Sequence, residues 1–259
     1  MRELEALRLQ IEWGADEAVE ETPVDRLRAA DTLPPTPPAP EGEPRVALLA
    51  VPATAASRAF RSALTATTLG DLRRTIADFD GCALRDTAGS LVFATGDPTA
   101  SLLLIGGPPS GPDDRSGTPF AGSQGEYLDR MLASIGLARD QLLLTPLIPW
   151  RPPGDRPPSQ AELAACLPFL YRLIAIATPR RLLLLGSLAV RSLLTQAAKT
   201  RRPRGGWLEV AIPSTPLVIP ALPMFSPAEL MRSPRDRRAA WADLRLLHRT
   251  LDADASSAG

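Results

Sequence analysis

SLLLIGGPPSGPDDRSGTPFAGSQGEYLDRMLASIG, residues 101–136, changes period twice. Leu102 to Ile105 run without a polar interruption, as expected of a strand covered on both faces. GGPPSG (106–111) ends the run with glycine and proline. From Ser123 onward, Leu128, Met131, Leu132 and Ile135 recur at helical spacing. The stretch therefore reads as strand, loop and helix, and the same unit recurs downstream. QLLLTPLI (141–148), RLLLLG (181–186) and TPLVIPAL (215–222) are strand-length apolar runs. SQAELAACLPFLYRLIAIA (159–177) is a helix opened by the capping-box pair Ser159 and Glu162. A further helix is expected near 187–198, and a last one near 235–250 after Ser233-Pro234. Four buried strands with intervening helices predict a three-layer α/β/α sandwich around a central four-stranded, mostly parallel sheet. Ligands in such folds bind beyond the carboxyl ends of the strands. Those ends are residues 106–111, 146–151, 186 and 225–227.

Outward from this core the pattern weakens. Residues 53–79 have helical periodicity, with Leu69, Leu72 and Ile76 on one side. Residues 33–44 (LPPTPPAPEGEP) form a proline-rich linker that cannot continue a helix. Before it, residues 2–20 read as an amphipathic helix striped by Leu4, Leu7, Ile11 and Trp13. The expected organisation is an N-terminal helical arm (1–32), a linker (33–52), the main domain (53–250) and a disordered tail (251–259).

The 259 residues include 29 basic and 29 acidic side chains, so net charge exerts no overall pull toward a polyanion. The charge is segregated, however: residues 1–45 hold 11 acids against 5 bases, and residues 180–249 hold 13 bases against 4 acids. A basic half can face phosphates even in a neutral chain; the plainer reading is a pair of solvated faces. No apolar run is expected to reach the roughly 18 residues of a membrane helix. MRELEALRLQ at the start lacks the apolar region of a secretory signal. A cytoplasmic, reduced location with no membrane contact is therefore expected. The two cysteines cannot make a disulfide framework, nor alone close a four-ligand metal or iron–sulfur site.

Five segments, in order and with matching gaps from about residue 68 to 247, carry a family resemblance. LLLIGGPPSGPDDRSGTPFAGSQGEYLDRMLASIGL (102–137) resembles the first motif region of the family-4 uracil-DNA glycosylases, roughly GEAPG…DRxGxPFxGxxGxxLDxML. LLTPLIPWRPPGDRPPSQAELAACLPFL (143–170) is similar to the family's TNxxxxRPPGNRxPxxxEIxxCxPFL. RGGWLEV (204–210) resembles its RGxW segment, and PMFSPAELMRSPRDRRAAWADL (223–244) its closing TFHPAYLLRxPxxKxxAWxDL. FDGCALRDTAGSLVFATGDP (79–98) resembles the stretch before the first strand. The resemblance implies a glycosylase-type sandwich, a link to DNA repair, and a pocket that receives a base flipped out of DNA.

Such chemistry needs a stacking aromatic, an amide to read the uracil edge, a carboxylate to orient water, and a donor to the leaving pyrimidine. Carried over by position, the aromatic is Phe120. The carboxylate position is Gly107, the amide position Pro146 and the His position Ser226. The implied base pocket is Phe120, Gly106, Gly107, Pro146 and Ser226. Asp113 is a weak candidate to swing in as a substitute carboxylate; Asp114 matches a loop-building position. His248, the sole histidine, lies far from these motifs and reads as a helix-surface or core residue. Arg151, Arg232, Arg235, Arg237 and Arg238, with the loop KTRRPR (199–204), are the implied phosphate contacts. Trp150, Trp207 and Trp241 read as packing residues. Of the four cysteine positions that hold an iron–sulfur cluster in many members, Cys82 and Cys166 match the second and fourth, while Phe79 and Trp150 occupy the first and third. No cofactor is therefore expected. Two functions follow. One is a monomeric pseudoenzyme, very weak or silent on uracil, that binds DNA or, through its N-terminal arm, an unknown protein. The other is a divergent DNA glycosylase acting on a different damaged base.

Overall fold

The structure is a computed structural model, and it describes residues 54–194 and 204–257. The N-terminal arm, the linker, the end of the helix expected near 187–198 and the basic loop up to residue 203 lie outside the described residues. Helices α1 (Ala55–Thr65) and α2 (Leu69–Asp78) come first, followed by the single turn α3 (Leu84–Thr87). The periodicity over 53–79 is thus two helices. Thr68 separates them as an N-cap: its side chain accepts from Asp71 N, and the Asp71 carboxylate accepts from Thr68 N.

Strand β1 (Thr95–Gly96) precedes the first central strand, β2 (Leu102–Ile105). Then come α4 (Gly111–Ser116), α5 (Gly122–Ala133), β3 (Leu143–Thr145), α6 (Gln160–Ala177), β4 (Arg181–Leu185) and α7 (Ser187–Leu193). The chain closes with β5 (Leu208–Ala211), β6 (Val218–Met224), α8 (Pro227–Arg232) and α9 (Arg237–Ser257). The sheet order is β1-β3-β2-β4-β6-β5. The four expected strands pair in parallel at the centre, with Leu103 opposite both Leu143 and Leu182. Two short strands that the sequence reading lacked, β1 and β5, add antiparallel edges and bring the sheet to six.

Alternation along each unbroken apolar strand supplies both faces. Leu103, Ile105, Leu182 and Leu184 enter one buried cluster with α1, α2, α6 and α7. Leu102, Leu104, Leu183 and Leu185 enter the other, with α5, α8 and α9. Each fully buried leucine contributes about 1.5–3 kcal/mol of burial, so continuous apolar runs are what a sheet with two covered faces requires. Arg172 of α6 donates twice to Ala66 O, at 2.8 and 2.6 Å, and so holds the carboxyl end of α1 against α6.

Two expectations are corrected. Helix α6 is long and apolar enough, by length and composition, to cross a membrane. It is nonetheless a core helix, burying Leu163, Cys166, Phe169, Leu170, Leu173 and Ile174 against the sheet and α1. Helix α9 runs on to Ser257, through residues expected as a disordered tail. Leu251 packs on the second cluster, and Asp254 receives Arg181 Nε and Nη2 at 2.8 and 2.6 Å, which carries the helix past 250.

Candidate functional site

The carboxyl ends of β2, β3, β4 and β6 surround a cavity of about 450 Å³. Gly107, Pro146, Gly186 and Ser226, one from each strand end, all line it. Backbone bonds fix this rim: Gly106 N donates to Thr145 O at 2.9 Å, Leu147 N to Gly107 O at 3.1 Å, and Gly186 N to Met224 O at 2.9 Å. Of the five residues expected at the pocket, Gly107, Phe120, Pro146 and Ser226 line this cavity, while Gly106 is not on its wall and lies under the Phe120 ring.

Phe120 forms one wall, and its neighbours explain the glycine spacing around it. Its backbone sits at φ +56°, a conformation that costs a non-glycine residue roughly 1–2 kcal/mol. Arg139 Nη1 donates to Phe120 O at 3.1 Å and holds it there. Gly125 lets that carbonyl approach: a Cβ at 125 would collide with Phe120 O. The ring itself lies over Gly106, where a Cβ would stand 2.5 Å from Cζ. Gly107 differs, because a Cβ there meets no atom within 4 Å and a side chain would point into free space.

Asp113 lies on the wall, buried, and is fully engaged. Oδ2 accepts from Ser110 N and Oγ, both at 2.7 Å, and Oδ1 accepts from Ala121 N at 2.6 Å. The swing expected of a substitute carboxylate would break all three bonds; Asp113 instead joins the start of α4 to the chain after Phe120. Asp114 accepts from Gly89 N and Ser90 N, at 2.9 and 3.0 Å, and builds the loop as expected.

Ser226 caps α8, its Oγ accepting from Glu229 N at 3.2 Å. Glu229 is a wall residue that the sequence reading missed. Its carboxylate accepts from Ser226 N at 2.9 Å and from Ser187 N at 3.1 Å, tying α8 to the start of α7. The Ser-x-x-Glu spacing at 226–229 was the signal available for it. Gln124, in the first turn of α5, is a second lining residue that the sequence reading missed.

The basic residues divide. Arg232 lines the cavity and donates Nε to Ala228 O at 3.2 Å. Arg156 and Arg191, not singled out in the sequence, line it as well; Arg156 is paired with Glu162 at 2.8 and 2.6 Å. That pairing holds the Glu162 carboxyl well down, at about 2. Arg151 lies off the wall, donating Nε to Asp155 at 2.7 Å and lying against Gly111. Arg235, Arg237 and Arg238 are exposed beyond α8, outside the cavity. Arg237 instead borders a separate groove of about 280 Å³ with Tyr127 and Trp241. Trp241 is 45% exposed there, against the packing role expected of it. Trp150 is buried, and Trp207 donates Nε1 to Thr250 Oγ1 at 3.1 Å. His248 is a surface residue of α9, 3.4 Å from Asp252.

Behind α8, the Arg204 guanidinium stacks 3.1 Å from the Phe225 ring centroid. Arg204 Nη1 and Asp243 Oδ2 are buried without hydrogen-bond partners among the described residues. Burial pushes the Asp243 carboxyl up to about 6, opposed by the nearby Arg204 charge.

Cys82 and Cys166 lie in the core with their Sγ atoms 3.8 Å apart. Phe79 and Trp150 are buried in the same cluster, and the Phe79 ring meets Phe169 edge-on at 5.1 Å. Two thiols among packed rings do not fit a four-thiolate iron–sulfur cluster. Among the described residues, no group of three or more His, Cys, Asp or Glu side chains gathers at a common point.

Comparison with known proteins agrees with the geometry. A family model describing the Uracil DNA glycosylase superfamily matches residues 93–245. The type-4 uracil-DNA glycosylase of Pyrobaculum aerophilum is 32% identical over 126 residues, 49% of this chain and 64% of that one. The corresponding protein of Sulfurisphaera tokodaii is 37% identical over 106 residues, 40% of this chain and 48% of that one. That of Archaeoglobus fulgidus is 33% identical over 123 residues, 48% and 62% of the two chains. The matches thus span about half to just under two thirds of these relatives' own lengths.

Proposed function

The chain belongs to the uracil DNA glycosylase superfamily, and from that premise we propose that it binds nucleic acid and holds an unpaired base against Phe120 without excising uracil at a useful rate. The observation that carries this reading is the state of the carboxylates. The family position, Gly107, has no side chain and opens onto empty space. Three carboxylates line the wall: Asp113 and Glu229 are bound to backbone N–H groups at helix starts, and Asp155 is paired with the Arg151 guanidinium at 2.7 Å. A carboxylate that already accepts two or three bonds is poorly placed to orient water. Pro146 offers no amide, and Ser226 is engaged as a cap and cannot carry positive charge. One positioned acid or base is worth roughly 10²–10⁴ in rate, and a lost reading group about 10⁴–10⁵ in discrimination. Binding is supported by the open cavity, the seated ring and the guanidinium groups of Arg191 and Arg232 on the wall.

The test is a single-turnover assay with protein in excess over single- and double-stranded oligonucleotides carrying one uracil, run beside a salt-titrated binding assay. The expected result is no release of free uracil above the protein-free control, with affinity falling as salt rises. Rapid release of uracil by the wild-type protein overturns the proposal. A second reading, a divergent glycosylase, is favoured by Asp155, a wall carboxylate that faces solvent and is held by the Arg151 guanidinium rather than by backbone N–H groups. It requires excision of some other altered base, abolished by Asp155→Asn in a protein that remains folded.

A further inference from the structure

Cys82 sits in the turn between α2 and α3, and Cys166 in the second turn of α6, 84 residues later. Both are almost fully buried, at 4% and 1% exposure, and their sulfurs are in van der Waals contact at 3.8 Å. Their surroundings are apolar: Phe79, Trp150 and Phe169 belong to the same cluster. No third ligand joins them among the described residues, so the pair is not a metal site of ordinary coordination number. What two adjacent thiols can do is pair with each other. A bonded distance of about 2.05 Å requires the sulfurs to close by less than 2 Å. Cys82 lies outside a helix, on the more adjustable side of the contact.

We propose that Cys82 and Cys166 form a reversible redox-modification site, closing to an intramolecular disulfide under peroxide. The steps balance. The Cys82 sulfur, as thiolate, attacks one oxygen of hydrogen peroxide; the O–O bond breaks, the second oxygen leaves as hydroxide and takes up a proton to become water, and Cys82 becomes a sulfenic acid. The Cys166 sulfur then attacks the Cys82 sulfur; the S–O bond breaks, a second water leaves carrying the Cys166 proton, and the S–S bond forms. Two thiols and one peroxide give one disulfide and two waters. A thiol reductant reverses the bond by exchange. The bond ties the turn between α2 and α3 covalently to α6 and closes a loop of more than eighty residues, where constraint of the unfolded chain is large.

The experiment treats the intact, folded protein with hydrogen peroxide, then denatures it and reads free thiols, intact mass and non-reducing gel mobility. The expected result is loss of both thiols, a mass lower by two hydrogens and a monomeric band. A peptide pair containing residues 82 and 166 should be linked, and dithiothreitol should restore both thiols. The oxidised protein should unfold about 5–15 °C higher than the reduced protein. Cys82→Ala and Cys166→Ala each abolish the cross-link, but the wild-type mass alone decides the matter should either variant fold poorly. Two intact thiols at a peroxide dose that oxidises free cysteine would overturn the proposal. So would oxygen added without a cross-link, or stoichiometric iron and sulfide held by these thiols after anaerobic purification.

Discussion

Two adjacent glycines at the end of β2 have opposite tolerances. Gly106 seats the Phe120 ring, and any Cβ there collides with it. Gly107 faces open space. Gly106→Ala should therefore cost about 1–3 kcal/mol through overpacking and displace the ring. Gly107→Ala should stay within about 0.5 kcal/mol of the parent. Denaturant midpoints of the two variants check the contrast. The same asymmetry bears on chemistry. Gly107→Glu has room, so combining it with Pro146→Asn and Ser226→His should bring measurable uracil excision in a single-turnover assay. The Ser226→His change also costs about 1 kcal/mol of helix capping, visible as a lower thermal midpoint. At this scale the sequence was informative where a side chain is fixed by its own motif. Phe120, Gly107, Pro146 and Ser226 all fall on one cavity, with Gly106 beneath the Phe120 ring, because glycine spacing and strand ends leave little choice. It was blind where a partner is set by tertiary contact. Asp113 stood as a weak substitute carboxylate because its bond to Ala121 N, eight residues on, is set by tertiary contact. Glu229 and Gln124 went unseen because period alone does not say which helical face looks into a cavity.

Among the elements, the helices around the cavity depend on reciprocal caps. Ser159 and Glu162 open α6, and Arg156 pairs with the same carboxylate. Glu162→Gln should lower stability by about 1–2 kcal/mol, since both cap and ion pair weaken. The native carboxyl titrates at about 2, below its ordinary 4.5. Its contribution is therefore present above 4.5 and lost as pH falls toward 2, and acid melts of Glu162→Gln should lack that component. Asp243 has the opposite sign. Its native value of about 6 lies above 3.8, so the folded state keeps a proton that the unfolded chain has released. Stability from this group falls as pH rises from 3.8 to about 6. Asp243→Asn should flatten that slope, by about 1–2 kcal/mol between pH 4 and 7 in paired thermal melts. The four central strands and the helices between them were legible because each carries its own period. The break between α1 and α2 was not separated, although Thr68 and Asp71 carry a capping signal that hydrophobic periodicity alone passes over.

For the molecule as a whole, segregated charge becomes a surface. Arg232, Arg235, Arg237 and Arg238 are all exposed at the turn from α8 into α9. If they meet phosphates, replacing Arg235 and Arg238 with Ala should lower the dependence of log affinity on log salt by about one unit per lost contact. An unchanged slope would place the polyanion path elsewhere. The sandwich and its site end were readable because parallel strands buried on both faces leave unbroken apolar runs. The sheet margins were not, because β1 has two residues and β5 alternates with exposed positions. Those margins matter for how the protein behaves in a crowd. A parallel sheet left bare at its sides offers open ladders to any neighbour, and stacking edge to edge is a route to insoluble aggregates. Here one side ends in a two-residue strand too brief to template an addition, and the other in the reversed Leu208–Ala211 ribbon, with Glu209 facing solvent. The margins thus act as guards for colloidal solubility, and replacing Glu209 with Val should make the folded protein precipitate at lower concentration without moving its melting point.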